Sequence, residues 1–386
     1  MAAAGTAGDL AIVPVAGRRL LDRFIALPGA LYRGAPGFEA PLAMERREAL
    51  SPAKNPFYAH AEVQLWLALR GGRAVGRISA QIDRLWLERY QDATGHFGFL
   101  DAVDEAAVFG ALTGTAEAWL AARGMRRALG PLSLSTNEET GLLVDGFAAR
   151  PMLMMPWHPP YAGKRLEAEG YAVAKELIAY DYDVIDAPPF RAPMVVQRAM
   201  TGGGFVLRTL DPRRYQADIN AALAIYRDAW SGNWGYVPPT QAETEHTVRS
   251  MKPLVRPDMV ILAESAGEAV GMIVCVPNLA EAVAGLDGRL LPFGWARLIW
   301  RLKVAGLKTS RVVLFGVLRR LQGSALGSAI ALALLQRLRD NGRRAGFTHA
   351  ELSWILEDNV PMRRVIEGIG GVAYKRLRVY DKAIGG

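Results

Sequence analysis

The 386-residue chain holds one cysteine, Cys275, which excludes an intramolecular disulfide framework and leaves too few thiols for a structural zinc site. That usage suits a reducing compartment. Histidine is nearly as scarce: His60, His96, His158, His246 and His349 are scattered, with no pair at metal-ligand spacing. No Ser or Cys motif marks a covalent nucleophile, and no metal is expected. No uncharged apolar run reaches the roughly 20 residues a spanning helix needs. The start, "MAAAGTAGDLAIVPVAGRR", lacks a basic n-region and a long apolar stretch, so no secretory signal is expected and the chain reads as cytoplasmic.

Acidic residues are also missing from one long stretch. Between Gly288 and Arg320 there is no Asp or Glu, while Arg289, Arg297, Arg301, Lys303, Lys308, Arg311, Arg319 and Arg320 are basic. The net charge of +8 is therefore focused, which points to an anionic partner: nucleic acid, an acidic lipid or a phosphate-bearing cofactor. Of these the lipid and the cofactor are expected, and nucleic acid is not.

With 51% hydrophobic and 22% charged residues, the composition is that of a globular protein long enough for two domains. Internal similarity divides it. "EGYAVAKELIAYDYD" from Glu169 aligns without gaps with "IGGVAYKRLRVYDKA" from Ile369, setting Gly170, Lys175, Tyr180 and Asp181 opposite Gly370, Lys375, Tyr380 and Asp381. "LALRGGRAVGRISAQI" and "LAESAGEAVGMIVCVP" are both strand, turn, strand. Each half then runs hairpin, helix, strand, helix and closing hairpin. The expected domains are residues 1–184 and 201–386, with a Pro-rich linker over 185–200. In the second half "FVLRTLD" and "RVVLFGVL" read as strands, and a helix is expected over Ser324–Asn341 and another from Asn359 to Gly368.

"RRLQGSALGSAI" lies between the second of those strands and the first helix. Bare amides at a helix N-terminus, with small side chains and a dipole of about half a positive charge, suit a pyrophosphate. The same small residues also suit close packing of a buried helix. The order strand, two helices, hairpin, strand, "QGSALGSA", helix, strand, "EDN", helix, closing hairpin resembles the GNAT N-acyltransferase superfamily. Over Phe205–Lys382 the resemblance is good; the first half looks like a degenerate second copy. It implies two tandem GNAT-like α/β domains with mixed, mostly antiparallel sheets flanked by helices, and acyl-CoA as co-substrate. Gln322, Ala325 and Gly327 match the family's acyl-CoA loop with Ala in the first Gly position; Arg320, Gly323 and Ala325 fit a second register.

By that resemblance, backbone from Phe315 through Val317 and Leu318 polarises the thioester carbonyl. Gln322, Gly323, Ser324, Ala325, Leu326, Gly327 and Ser328 hold the diphosphate, and Asn359 matches a CoA-side asparagine. Glu357 is the leading base; a capping or solvated role is the alternative. The family's general-acid tyrosine is replaced by Ile366, so Tyr374 and Tyr380 are the nearest candidates, although the recurrence of Tyr380 as Tyr180 favours packing. In the first copy Asp101, Asp104 and Glu105 stand where the loop should be and would repel a pyrophosphate. That copy is expected to shape the acceptor pocket.

Asn137 and Glu138 can hold an amine or cap a strand end. Met154 and Trp157, in "RPMLMMPWHPPY", can line an apolar pocket or fill core. In "GRLLPFGWARLIWRLKVAGLK", Arg297, Arg301 and Lys308 share one helical face opposite Trp295, Leu298, Ile299 and Leu302, the pattern of an interfacial helix. A helix covering an acyl tunnel is the alternative. Together these features resemble tandem-GNAT proteins that acylate a sphingoid-type lipid amine, and imply contact with the inner-membrane surface. Rival readings are an acetyltransferase for a small amine and a non-catalytic acyl-CoA- or lipid-binding protein.

Overall fold

The computed structural model describes residues 10–385, so the first nine residues of the start tested for a secretory signal lie outside it. The first half carries strands β1 (Leu10–Pro14), β2 (Ala61–Arg70), β3 (Arg73–Asp83), β4 (Thr94–Ala102), β5 (Arg127–Gly130), β6 (Leu132–Ser133), β7 (Glu139–Thr140), β8 (Leu142–Asp145) and β9 (Ala172–Asp183). The second carries β10 (Val206–Thr209), β11 (Val260–Ser265), β12 (Glu268–Pro277), β13 (Thr309–Val317), β14 (His349–Leu356) and β15 (Val372–Ala383).

Thirteen strands form one sheet, ordered β1-β2-β3-β4-β5-β15-β9-β14-β13-β12-β11-β10, with β8 also on β15; β6 and β7 make a separate ribbon. The two halves are thus fused, and the closing strands are exchanged between them. β15 pairs with β5 of the first half, Tyr380 opposite Gly130, and β9 pairs with β14 of the second, Tyr180 opposite Leu352. The closing hairpins expected in each half are instead two single 12-residue strands that also pair with each other. Neither contains a turn signal, and each run of β-branched and aromatic residues continues straight through.

The side chains record the exchange. The Tyr180 hydroxyl donates to Glu367 of the second half at 2.9 Å, and the Tyr380 hydroxyl to Glu167 of the first at 3.1 Å. The recurrent tyrosine is a packing residue in both copies, and both are fully buried.

Helices cover both faces. Ile330, Leu334 and Leu338 of helix Ala325–Ala345 pack with Ile261, Ile273 and Val312, while Ile219, Ala222 and Ile225 of helix Tyr215–Trp230 pack with the alternate residues Leu262, Met272 and Val274. This is the period of two expected for a sheet buried on both sides. The helix expected over Ser324–Asn341 runs four residues further, to a C-cap at Gly346 in the left-handed conformation. Residues 185–200 include the start of a helix, Met194–Thr201.

Two parallel pairings open clefts in the sheet. β13 and β14 pair only over Thr309–Val312 and His349–Leu352, and β4 and β5 only over Thr94–His96 and Arg127–Leu129. Beyond those residues each pair splays into a wedge. A bulge at Val313, where β13 slips against β12, bends the strand at the mouth of its wedge.

The exchange predicts that Leu377→Ala, a fully buried β15 residue, lowers stability by about 2–5 kcal/mol in urea titrations. Amide exchange should speed up in β5, in the other half, as well as in β9; acceleration restricted to the second half would contradict this.

Candidate active site

The loop after β13 begins with a short turn, Arg319–Leu321, and leads into helix Ala325–Ala345. Ser324 is its N-cap, and its hydroxyl accepts from the Gly327 amide at 3.0 Å. The Ser328 amide donates to the Ser324 carbonyl and the Ser324 amide to that of Leu321. The amides of Gly323, Ala325 and Leu326 have no acceptor among the described residues. Gly323 sits at φ +75 with open space around its Cα, whereas a Cβ on Gly327 would collide with the Leu321 carbonyl oxygen. One glycine is therefore open to a visitor, and the other lets the turn close. Arg319 donates to Ser231 at 3.0 Å and Arg320 pairs with Glu268 at 2.5 Å, both on the exposed rim.

Beside the splayed ends of β13 and β14 lies a cavity of about 220 Å³. Its walls are almost wholly apolar, from Ile219, Leu223, Val248, Met251, Val313 and Trp354. Polar groups also reach it, among them Glu138, Thr244, Thr247, Arg311 and Ser353. Burial pushes the Glu138 carboxyl up to about 7, against the lowering effects of the Leu134 amide and the Arg46 guanidinium.

Arg311 and Ser353 belong to a buried charge cluster. Glu351, with no exposed surface, accepts from Ser353 and from the Tyr374 hydroxyl, and lies 3.4 Å from Arg311 and 3.7 Å from Lys375. Burial lowers the pKa of both Arg311 and Lys375, with Glu351 opposing it. Lys375 also donates to the Arg150 carbonyl at 2.6 Å, and Arg311 to that of Leu153. Sequence reasoning passed over Glu351, Arg311, Ser353 and Lys375. The signal that could have found them was a charged residue inside each of two apolar strands, "RVVLFGVL" and "HAELSWIL", at register partners Arg311 and Glu351.

The sequence-predicted residues divide into groups. Glu138 and Met154 line the cavity, as does Asn137, whose amide bridges the halves by donating to the Val237 carbonyl and accepting from Tyr226. Tyr374 joins the cluster beneath. Phe315, Val317 and Leu318 are tied to β12 and its flank, the Phe315 carbonyl accepting from Trp230 and that of Val317 from the Gln322 side chain. Asn359 caps helix Val360–Gly368 by accepting from Met362. Glu357 stands apart: it pairs with Lys175 at 3.2 Å, accepts from the Glu176 amide, and is not among the cavity's lining residues. Tyr380 is also absent from that lining and sits in the first half's core. Trp157 donates to the Phe147 carbonyl and stacks with Tyr32 and Phe38 beside a second cavity, in the first half.

The first copy's wedge is filled by its own backbone. The Leu132 carbonyl lies where a Cβ on Gly98 would be, and the Ser133 hydroxyl accepts from the Phe99 amide. At the start of helix Ala106–Ala121 each carboxylate has an arginine: Asp101 with Arg77, Asp104 with Arg165, Glu105 with Arg70.

In the basic insertion, helix Gly294–Trp300 continues into a π turn, Arg301–Ala305. The single apolar face drawn on a helical wheel is split: Leu298 and Leu302 turn inward, whereas Trp295, Ile299 and Trp300 are about half exposed and Leu291 and Phe293 more so. Among the described residues, no group of three His, Cys, Asp or Glu side chains is arranged to hold a metal ion.

No family model matches the chain. It is 47% identical over 380 residues to the bacterial ceramide synthase of Caulobacter vibrioides (strain NA1000 / CB15N), covering 98% of this chain and 99% of that one. It is 42% identical over 368 residues to protein YghO of Escherichia coli (strain K12), covering 94% and 93%. In structure it resembles a tandem GNAT protein from the clavulanic acid biosynthesis pathway, with a TM-score of 0.58, 15% identity and coverage of 98% and 99%. A GCN5-related N-acetyltransferase from Sphaerobacter thermophilus gives 0.55, 16% identity and coverage of 96% and 95%. The expected tandem GNAT architecture is thus present.

Removing Glu351 alone leaves two buried cations without their carboxylate. Glu351→Ala should lower stability by about 3–5 kcal/mol in urea unfolding, and adding Lys375→Met should recover part of that loss; a loss under about 1 kcal/mol would mean the cluster is not dry.

Proposed function

This chain belongs to the family of the bacterial ceramide synthase, and from that premise we propose that it transfers a long-chain acyl group from acyl-CoA to the amine of a sphingoid-type lipid base, forming a ceramide-like amide. The observation that carries the reading is the mainly apolar cavity, lined also by Glu138, Arg311 and Ser353, set at the splay of β13 and β14, with β13 running on into the loop before helix Ala325–Ala345. A small acetyl group and a small amine would leave most of those walls without a partner.

The free amides of Gly323, Ala325 and Leu326 fit the diphosphate, with the helix dipole behind them and Arg319 and Arg320 at the rim. Bound there, acyl-CoA supplies the activated acyl group. Glu138 serves as the base in place of Glu357, whose carboxylate is engaged by Lys175. With its pKa near 7 it takes a proton from the substrate ammonium, leaving a neutral amine to attack the thioester carbonyl. As the C–N bond forms and the C–S bond breaks, the proton lost by nitrogen passes to the departing thiolate. Arg311, buried and facing the same cavity, provides positive field where negative charge develops on the carbonyl oxygen.

The exposed Leu291, Phe293, Trp295, Ile299 and Trp300, flanked by Arg289, Arg297 and Lys303, form the surface that meets the membrane. Apolar side chains enter the headgroup boundary and the arginines and lysine meet anionic lipid. The protein is then a cytoplasmic one that works on the inner-membrane surface.

Three measurements test this. Glu138→Gln should lower kcat by about 10²-fold or more. Because the active form is the ionised carboxylate, the wild-type rate should rise with pH through about 7 and level off above it, and the variant should lose that limb; an unchanged profile would remove Glu138 from the chemistry. Trp295→Ala/Trp300→Ala should cut co-sedimentation with anionic vesicles about tenfold while leaving turnover of detergent-dispersed substrate within about twofold. Equal pelleting of variant and parent would remove the membrane surface from the proposal.

A further inference from the structure

The first half contains a cavity of about 130 Å³ that the acyl-transfer chemistry does not use. It lies under the segment Pro151–His158 and reaches Leu279 and Val283, on the helix just before the exposed insertion. Val283 packs with Leu42 and Leu286, and Leu290 and Leu298 extend that cluster into the insertion itself. The chamber therefore sits directly behind the apolar surface.

Its lining is selective. Glu39, Glu45, Asp101 and Glu139 face it against only Arg46 and Arg77. Those two cations are engaged, Arg77 with Asp101 at 2.7 Å and Arg46 with Glu139, so Glu39 and Glu45 have no ion-pair partner among the described residues. Such a site favours a cation. An independent feature adds a second preference. His158 lines the cavity and is 6% exposed. Its Nδ1 accepts from the Leu143 amide at 3.2 Å, which puts the ring proton on Nε2, where no acceptor is found among the described residues. A ring N–H without a protein acceptor, on a residue that lines the cavity, can donate to a hydroxyl or carbonyl oxygen of a bound molecule.

Met154 lines both this cavity and the apolar one at the β13–β14 wedge. Its backbone has φ +57, in the left-handed region that a side chain of this size rarely adopts. The neighbours hold it there: Asn278 accepts from the Leu153 amide at 3.0 Å and donates to the Pro151 carbonyl at 2.9 Å, and Arg311 grips the Leu153 carbonyl. The backbone is fixed while the thioether, with its soft torsions, is the movable part of the wall.

We propose that the first-half cavity is the reception site for the polar head of a long-chain amino alcohol, its ammonium on the unpaired carboxylates and its hydroxyl on His158, and that Met154 is the partition it passes to reach the acylation wedge. This deepens the function proposed above and rests on it for the choice of a lipid amine.

The test uses the full-length protein without acyl-CoA and a long-chain amino alcohol carrying a photoactivatable diazirine near its head. Label mapped by mass spectrometry should fall on Pro151–His158 and Leu279–Val283. Label confined to helices Tyr215–Trp230 and Gln241–Met251 would overturn the site. In turnover, Val283→Trp, which fills the chamber, should raise KM for the amine about tenfold and leave KM for the thioester within about twofold; an unchanged amine KM in a folded variant also overturns it. If the wild-type protein forms no amide while label still falls on the two segments, the acylation reading fails and the amino-alcohol site stands.

Discussion

The exchange of β9 and β15 is the constraint on which the rest of the site depends. Each copy lacks its own last strand, so neither sheet is complete without the other. Because β15 is bound to β5 and β8, the first half's connections are carried across to the second half's wedge. Two of them are anchored there by hydrogen bonds: the β6–β7 turn through Thr136 to Gly235 and Asn137 to Val237, and the segment after β8 through Leu153 to both Asn278 and Arg311. The cavity that Glu138 and Met154 line together with Arg311 and Ser353 is built from both halves, and it depends on their fixed register.

That locking also explains how so much charge stays buried. Glu351 on β14, Arg311 on β13 and Lys375 on exchanged β15 come from three strands, and each would be an isolated buried ion without the others. Opposing the desolvation of three groups takes several hydrogen bonds at once, here from Tyr374, Ser353 and the Leu153 and Arg150 carbonyls. The result is a rigid, polarised floor under an apolar chamber, a combination suited to a reaction in which charge appears and disappears on one carbonyl oxygen.

Much of the architecture was legible in local pattern. The repeated Gly–Lys–Tyr–Asp spacing gave away the duplication, and the strand–turn–strand pattern of "LAESAGEAVGMIVCVP" marked β11 and β12. The loop before helix Ala325–Ala345 stood out because small residues cluster between a buried strand and a long amphipathic run. What stayed hidden was relational. Nothing in "GVAYKRLRVYDK" says whether its partner strand belongs to its own half or the other. Glu357 drew attention by its place in "EDN", yet its neighbour turned out to be Lys175, more than a hundred residues away. Lys375 and Glu351 read as ordinary members of polar alternation until β15 and β14 are placed on either side of β9. In the insertion, a wheel could count apolar positions but could not tell that Leu298 and Leu302 face protein while Trp295 and Ile299 do not.

The plug in the first wedge has a consequence for how such a molecule can change over evolutionary time. A lost side chain can return by one nucleotide substitution, but this space is taken up by the main chain itself, with the Leu132 carbonyl against Gly98 and Gln81 fastening the Leu132 and Leu134 carbonyls from below. Reopening it would demand a new path for the main chain between β5 and β8. Point substitution can refine this wall, but it cannot by itself turn the wall back into an open cleft.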